Sequence, residues 1–439
     1  MENAQVWVGL NRFRSSKGDQ DGVCESKTRQ RRDGHEGSLM NRYREDTPYT
    51  FRPPKYSPFW AAWICCFNDV YWLKRINKIT EIRVTGGGEG LVARYRKGDA
   101  LLVTPNHSDH ADPHVLMHLS RRYRVPLHFM AARETFEKSG GLEGVVMQRA
   151  GCFSIDREGS DLRAIKEAIR LLTDARYPLV MFPEGEIYHV NRQLTPLNQG
   201  AATLALRAAR KVLKDGGDRR AYIVPTAMRY RYIDDISATF ESRMARLEGR
   251  IQWAPQSHLD IVARIYKFGE ALLTLKEIEF LGSPQTGDLS DRLQQFRETL
   301  IVAEEERYFQ SVSREDHPSR VRRLRGKIRT VLLAEELPSQ GVIDDCYRSL
   351  DRVYVSLQSY SYPSRYLRGD SEPGRLAETI HKFEEDVLGE NEIKGRRRAE
   401  VTFCDPIDLS DYAAAGAKRS VGEVTERIQQ AIQDVLDAS

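Results

Sequence analysis

A histidine and an aspartate lie five residues apart in the segment NHSDHAD, residues 106–112. The apolar run Ala100–Pro105 comes directly before it and predicts a buried strand, and functional groups of α/β proteins often follow such strands. A carboxylate bonded to one imidazole nitrogen fixes the ring tautomer and raises the basicity of the other nitrogen. The spacing therefore indicates that His107, held by Asp112, can take a proton from a hydroxyl group. A structural hydrogen bond in a turn is the alternative, and Asp109 is a competing partner for the ring.

Two further polar motifs follow predicted strands. The segment GCFSIDR, residues 151–157, ends in Arg157, whose planar guanidinium suits a phosphate group. A surface ion pair is the alternative for this arginine. The segment FPEG, residues 182–185, places Glu184 and Gly185 in a turn whose backbone N–H groups can point into a site. An ordinary turn at the end of a strand is the alternative there.

The order N-H-x4-D, G-x-x-x-I-D-R and F-P-E-G, followed by Val224-Pro225, resembles the glycerolipid acyltransferase family. The resemblance is to the bacterial lysophosphatidate (1-acyl-glycerol-3-phosphate) acyltransferase type, and it covers residues 81–232. The segment AEVTFCDPID, residues 399–408, resembles the last strand of that family. The position after F-P-E-G is commonly Thr or Ser in the family, but here it is Glu186.

The resemblance implies an O-acyltransferase of phospholipid synthesis. It would transfer a fatty acyl group from acyl-CoA or acyl carrier protein to the hydroxyl of a lysophosphatidate-like acceptor. His107 would be the general base and Asp112 its orienting partner, Arg157 would hold the acceptor phosphate, and Glu184 and Gly185 would bind or position the acceptor. The expected partners are the acyl donor, a membrane lipid acceptor and the membrane surface, without a cofactor, metal ion or nucleic acid. Two alternatives stay open. The acceptor is another lysolipid or an aminolipid, or the protein is a non-catalytic, membrane-bound scaffold.

The fold class that the residues predict is α/β. Short apolar strands alternate with helical stripes over residues 81–232, which predicts a mixed, mostly buried sheet flanked by helices. Residues 233–398 contain only helical stripes and are expected to be a helical insertion or second domain. Residues 399–439 are then the last strand and the C-terminal helix of the acyltransferase core. Residues 1–50 mix charged and small polar residues without an apolar period, which predicts a disordered tail.

Residues 51–80 contain a tryptophan-rich segment, Ser57–Leu73. Trp60, Trp63, Phe67 and Val70 recur at helical spacing, and we expect an amphipathic helix that lies in a membrane interface. Packing of this helix on its own domain is the alternative. The expected location is cytoplasmic, peripheral on the inner face of a membrane.

Composition excludes several classes of protein. The chain has 439 residues, of which 40% are hydrophobic, so it is not wholly disordered. A net charge of +4 is too small to indicate a nucleic-acid binder. Six cysteines without a CxxC pair or zinc spacing favour a reducing compartment and argue against a disulfide scaffold or metal site. The arginine-dense segments 320–329 and 394–398 could meet anionic lipid headgroups or form solvated helix faces.

Overall fold

The structure, a computed structural model, describes residues 48–438 except 138–140, 160, 335, 337, 363–371, 390–391 and 415–416. Most of the predicted tail, residues 1–47, lies outside the described residues. The last part of that tail is anchored, because the hydroxyl of Tyr49 lies 2.7 Å from Oγ of Ser154. The chain then runs beside the same strand, where the backbone N–H of Arg52 donates to Ser154 Oγ at 2.8 Å.

Eight strands form one mixed sheet in the described part of the chain. They are β1 (Ile79–Thr85), β2 (Ala100–Pro105), β3 (His128–Ala132), β4 (Cys152–Ile155), β5 (Leu179–Val180), β6 (Ala221–Tyr232), β7 (Arg397–Phe403) and β8 (Ile407–Asp408). The order is β1-β7-β6-β2-β5-β3-β4, with β8 also paired to β6. Strand β6 pairs antiparallel with β7 and β8, and the other pairs are parallel. The predicted α/β class with a mixed, mostly buried sheet is confirmed.

Helices cover both faces of this sheet. The helices of the sheet domain are α1 (Pro58–Phe67), which continues as a π-helical segment (Asn68–Ile76), α2 (Gly88–Lys97), α3 (Asp112–Tyr123), α4 (Arg133–Glu137), α5 (Leu142–Arg149), α6 (Leu162–Asp174) and α7 (Gly200–Asp215). Helices α2 and α3 pack on one face, whereas α6, α7 and the C-terminal helix pack on the other. The three glycines in residues 86–88 and Gly90 are typical of a turn, but α2 already begins at Gly88.

The helical region lies between β6 and β7. It contains α8 (Phe240–Arg250), α9 (Ile261–Leu281), α10 (Leu289–Phe309), α11 (His317–Leu332), α12 (Gln340–Gln358), α13 (Pro373–Phe383) and a π-helical turn (Glu384–Leu388). Strand β7 then enters the sheet between β1 and β6, so the helices are an insertion within one sheet domain. Because β7 begins at Arg397, the insertion ends at 396 instead of the predicted 398.

The chain closes with α14 (Ser410–Ala414) and α15 (Ala417–Asp437). In α15, Val424, Ile428, Ile432 and Leu436 recur every four residues, and each of them is buried in the core against α7 and β6. This period places all four side chains on one helical face. The last strand and helix therefore complete the sheet domain.

The tryptophan-rich segment forms α1 and the π-helical segment. Strand β1 begins at Ile79, two residues before the predicted start of the acyltransferase core at residue 81. One side of this helix packs on α3, where the Asn68 amide donates to the His114 carbonyl at 2.9 Å. The predicted apolar stripe is on the other side: Trp63 is 64% exposed and Val70 is 69% exposed. Among the described residues, no helix combines the length and the apolarity that crossing a bilayer demands.

Candidate active site

The site begins at the carboxyl end of β2, which is clamped to β6. The side chain of Asn106 accepts the Met228 backbone N–H at 2.6 Å and donates to the Met228 carbonyl at 2.9 Å. The next residue, His107, therefore leaves the sheet at a fixed position. The ring of Phe182 stacks on the His107 ring with centroids 4.0 Å apart.

Asp112, the first residue of α3, meets the His107 ring as the spacing predicts. Nδ1 of His107 lies 2.8 Å from Oδ2 of Asp112, whose side chain is fully buried. Oδ2 also accepts the Asp109 backbone N–H at 3.1 Å, and Oδ1 accepts the Tyr230 hydroxyl at 2.5 Å. Burial raises the pKa of Asp112, although the hydrogen bond and charge of His107 act in the opposite direction. A carboxylate buried beside an imidazole would interact strongly with the imidazolium formed when the ring takes a proton.

Asp109 is not the partner of His107, because its carboxylate faces Arg397. Nη1 of Arg397 lies 2.5 Å from Oδ2 of Asp109, and both side chains are largely buried. Burial opposes ionisation of Asp109, but the charge of Arg397 outweighs it and holds the pKa well below its usual value. The competing pair that the sequence left open is therefore a separate ion pair.

Glu184 holds the loop that carries the histidine. Its Oε1 accepts the His107 backbone N–H at 2.7 Å, and its Oε2 accepts the backbone N–H and the hydroxyl of Thr195 at 3.1 and 2.6 Å. Glu184 is buried, and this burial raises its pKa. Both oxygens are used within the chain, so the observed role of Glu184 is to position His107. A direct contact between Glu184 and an acceptor is not part of this arrangement.

Gly185 has a backbone conformation that disfavours a side chain. Its φ is +80°, and a Cβ atom there would lie 2.9 Å from Nδ2 of Asn198. The tight turn directs the Gly185 carbonyl toward Arg157, whose Nη1 donates to it at 2.5 Å. The second and third motifs are therefore in contact, as expected if they form one site.

Arg157 is surrounded by carboxylates. Its Nη1 lies 2.9 Å from Oε1 of Glu186, and its Nη2 lies 3.6 Å from Oε2 of Glu134. Burial disfavours the charged form of Arg157, but Glu186, Glu134 and Glu158 outweigh it and raise its pKa. The Arg157 side chain as a whole is 24% exposed, but Nε of its guanidinium is buried. A phosphate would have to compete with Glu186 for this cation.

Helix α11 of the insertion covers the side of the site that contains Arg157. Arg325 pairs with Glu158 at 2.8 Å and approaches Glu186 at 3.5 Å, and Arg329 pairs with Asp156. Both arginines are buried. They therefore bind carboxylates of the acyltransferase motif region and are not a surface for lipid headgroups.

Close packing explains why a glycine lies between these two arginines. A Cβ atom at Gly326 would collide with the backbone carbonyl of Glu158. Helix α11 therefore approaches the loop after β4 at backbone distance. The third buried arginine of this helix, Arg320, pairs with Glu305 at 2.9 Å inside the insertion.

The comparison with protein families agrees with this geometry. A family model described as acyltransferase matches residues 88–229, which run from α2 into β6 and include every motif of the site. This part of the chain is a glycerolipid acyltransferase domain. The acyltransferase domain supports a general acyl-transfer activity and confirms the family that the motifs indicate. Curated proteins gave no match to the chain. Strands β1, β7 and β8 complete the sheet of the acyltransferase domain from outside the matched residues.

Sequence reasoning missed Tyr230, which donates to the buried carboxylate of Asp112 from a position 118 residues away. The mostly apolar residues 222–228 predict a strand that ends at Met228, but β6 continues to Tyr232. A tyrosine just beyond the predicted strand end is the only signal that could have found it. Thr195, which holds Glu184, lies in a long loop without a recognisable pattern.

Proposed function

We propose that this protein transfers a fatty acyl group from acyl-CoA or acyl carrier protein to the hydroxyl of a lysophosphatidate-like acceptor. The observation that supports this most directly is the pairing of His107 with a fully buried Asp112 at 2.8 Å. The ring is 15% exposed, and within the described residues its Nε2 takes part in no hydrogen bond. A neutral imidazole held in this way presents Nε2 as a base.

The reaction needs one proton carrier. His107 Nε2 removes the hydroxyl proton as the acceptor oxygen attacks the thioester carbonyl carbon. The new C–O bond forms, the C–S bond breaks, and the imidazolium returns the proton to the departing thiolate. Asp112 stabilises the imidazolium between these steps, and a positioned base of this kind is worth about 10²–10⁴-fold in rate.

The exposed side of α1 and of the π-helical segment after it supports a location at a membrane surface, which we propose to be the cytoplasmic inner face. Phe59, Trp60, Trp63, Phe67 and Val70 are each more than half exposed. Indole rings favour the headgroup region of a bilayer, and a surface helix with one apolar side binds there without crossing. A lipid acceptor could then reach the site without leaving the membrane surface.

The position of Glu186 argues against phosphate recognition by Arg157. The 2.9 Å ion pair between them favours a second candidate, an acceptor that carries an amine instead of a phosphate. An ammonium group would be attracted to Glu186 and Glu134, whereas a phosphate would be attracted to Arg157 and repelled by both glutamates.

The test is acyl transfer by the purified full chain with vesicles that contain one acceptor at a time. The acceptors are lysophosphatidate, monoacylglycerol and an amine-bearing lysolipid, with labelled acyl-CoA or acyl carrier protein and mass detection of the product. We expect His107→Ala to lose transfer, and His258→Ala, at an exposed histidine of the insertion, to retain it. Transfer that survives in His107→Ala contradicts the mechanism. Stable partners without any turnover by the wild type would favour the scaffold alternative.

Two variants separate the acceptors. With a phosphate acceptor, Arg157→Ala should raise KM about 10- to 100-fold, the value of a charged hydrogen bond, and Glu186→Thr should lower it. With an amine acceptor, Arg157→Ala should have little effect and Glu186→Thr should raise KM. Helix content by circular dichroism checks that each variant is folded.

A further inference from the structure

We propose that His110, His189 and Glu385 bind a divalent transition-metal ion, with Zn²⁺ as the best match, that joins the helical insertion to the acyltransferase domain. Their donor atoms all lie within 4.8 Å of one another. This inference does not depend on the proposed substrates, because it concerns side chains outside the His107–Asp112 pair.

The three ligands come from three separate parts of the chain. His110 lies between β2 and α3, three residues after His107. His189 lies in the loop that follows the FPEG turn, and Glu385 lies in the π-helical turn Glu384–Leu388 of the insertion. A metal ion at this point would cross-link the loop of the general base to the insertion.

The donor set suits zinc. Two imidazole nitrogens and one carboxylate oxygen form a recurring zinc set that leaves a fourth position open. Ligands about 2.0–2.2 Å from a tetrahedral ion lie about 3.3–3.6 Å from each other. Nε2 of His189 is 3.0 Å from Oε2 of Glu385, so small side-chain movements bring these atoms to that spacing. His110 is exposed, which gives an ion a path to the site.

Three further observations point to a ligand at this place. Oε2 of Glu385 is buried, and its contact with Nε2 of His189 at 3.0 Å lacks the geometry of a full hydrogen bond. His189 has a φ of +57°, a left-handed conformation that a side chain other than glycine's adopts at a cost. Glu385 is in a π-helical turn, and such turns are frequent at functional sites. A carboxylate oxygen whose hydrogen bond is poorly formed is costly to bury, and a cation between it and the two imidazoles would remove that cost.

The imidazoles form a connected group around this point. The rings of His110 and His189 are 5.2 Å apart, and the His381 ring packs edge-on to His189 at 6.0 Å. His381 precedes Glu385 by one helical turn and is outside the donor set. The expectation of no metal site rested on cysteine spacing, which cannot detect ligands that are distributed from residue 110 to residue 385.

The experiment is metal titration of the full chain after dialysis against a chelator. Zn²⁺ stoichiometry is measured by elemental analysis, and Co²⁺ is used as a probe because its visible absorption reports the ligand geometry. We expect one ion per chain. His110→Ala and Glu385→Gln should each weaken binding by at least about a hundredfold, since each removes a direct ligand.

His258→Ala is the matched control, and it should bind metal like the wild type. His110 is exposed, so its variant is expected to stay folded and to give a clear result even if Glu385→Gln is unstable. Absence of Zn²⁺ and Co²⁺ binding by the wild type would overturn the proposal. So would binding that persists unchanged in His110→Ala.

Discussion

Replacing Asp112 by asparagine separates the charge of this side chain from its shape. Oδ2 receives a backbone N–H from Asp109, whereas Oδ1 receives the Tyr230 hydroxyl. Because a backbone N–H can only donate, the amide oxygen of the asparagine must take the Oδ2 position. The amide nitrogen then faces the Tyr230 oxygen, which can accept because its proton is free to rotate. Asp112→Asn therefore keeps the His107 tautomer and removes only the negative charge.

The size of the effect follows from the contact distance. With contacting atoms 2.8 Å apart, the two charge centres lie about 4 Å apart, which is worth ~4 kcal/mol at an effective dielectric constant near 20. The dipole of the asparagine amide retains part of this interaction energy. We therefore expect the stabilisation of the imidazolium to fall by about 2–3 kcal/mol, which lowers kcat ~30- to 150-fold.

The assay is the release of thiol from the acyl donor with acceptor vesicles, followed across pH to give kcat and KM. Asp109→Asn is the control in the same turn. It breaks the buried pair with Arg397, which costs about 3–5 kcal/mol of folding stability, but kcat per folded molecule should stay near the wild-type value. A kcat for Asp112→Asn within about threefold of the wild type would refute the reasoning.

Three other perturbations test the same structure. Tyr230→Phe removes one hydrogen bond to the buried carboxylate and should lower kcat about tenfold with little change in KM, measured by steady-state kinetics. Gly185→Ala forces a side chain onto a left-handed backbone and should lower the free energy of unfolding by about 1–2 kcal/mol, measured by urea titration. Replacing Trp60 and Trp63 by serine should weaken vesicle binding about 100-fold or more, because each buried ring contributes about 1.5–3 kcal/mol. Trp253→Ser, in the insertion, should bind vesicles like the wild type in the same flotation assay.

Local patterns predicted the central strands well because those strands are buried on both faces. Every residue of β2 is buried, so its sequence is a continuous apolar run, and the predicted bounds Ala100–Pro105 match the structure. Helix α2 was missed because it begins with Gly88 and contains several charged residues, which hide its single apolar side. The position of β7 in the sheet is set by pairing with strands far away in the chain, which no local pattern reveals.

In the candidate site too, the contacts between residues close in the sequence could be predicted and those between distant residues could not. The contact between His107 and Asp112 spans five residues, so the geometry of one turn was enough to predict it. The partner of Asp109, by contrast, lies 288 residues away at Arg397, and no spacing rule connects them. The same holds for Arg325, which reaches the site from the insertion. Distant charges decide which of two neighbouring aspartates serves the histidine.

The insertion is part of the structure around the candidate active site and not an appended domain. The carboxylates of Glu158 and Asp156 are buried beside the phosphate-binding candidate Arg157, and their ion pairs with Arg325 and Arg329 come from α11. Replacing one of these arginines by alanine would leave its carboxylate partner buried without the ion pair, at a cost of about 3–5 kcal/mol. That cost is a large part of the about 5–15 kcal/mol by which a typical domain is stable.

The loop that carries Glu184 depends on the insertion as well. Tyr188 and Val190, which follow the FPEG turn, are buried in one cluster with Val321 and Leu324 of α11. Glu184 in turn holds the backbone of the histidine loop. Packing of the insertion, the shape of this loop and the position of His107 are therefore coupled, and a ligand that shifts α11 would move His107 without touching it.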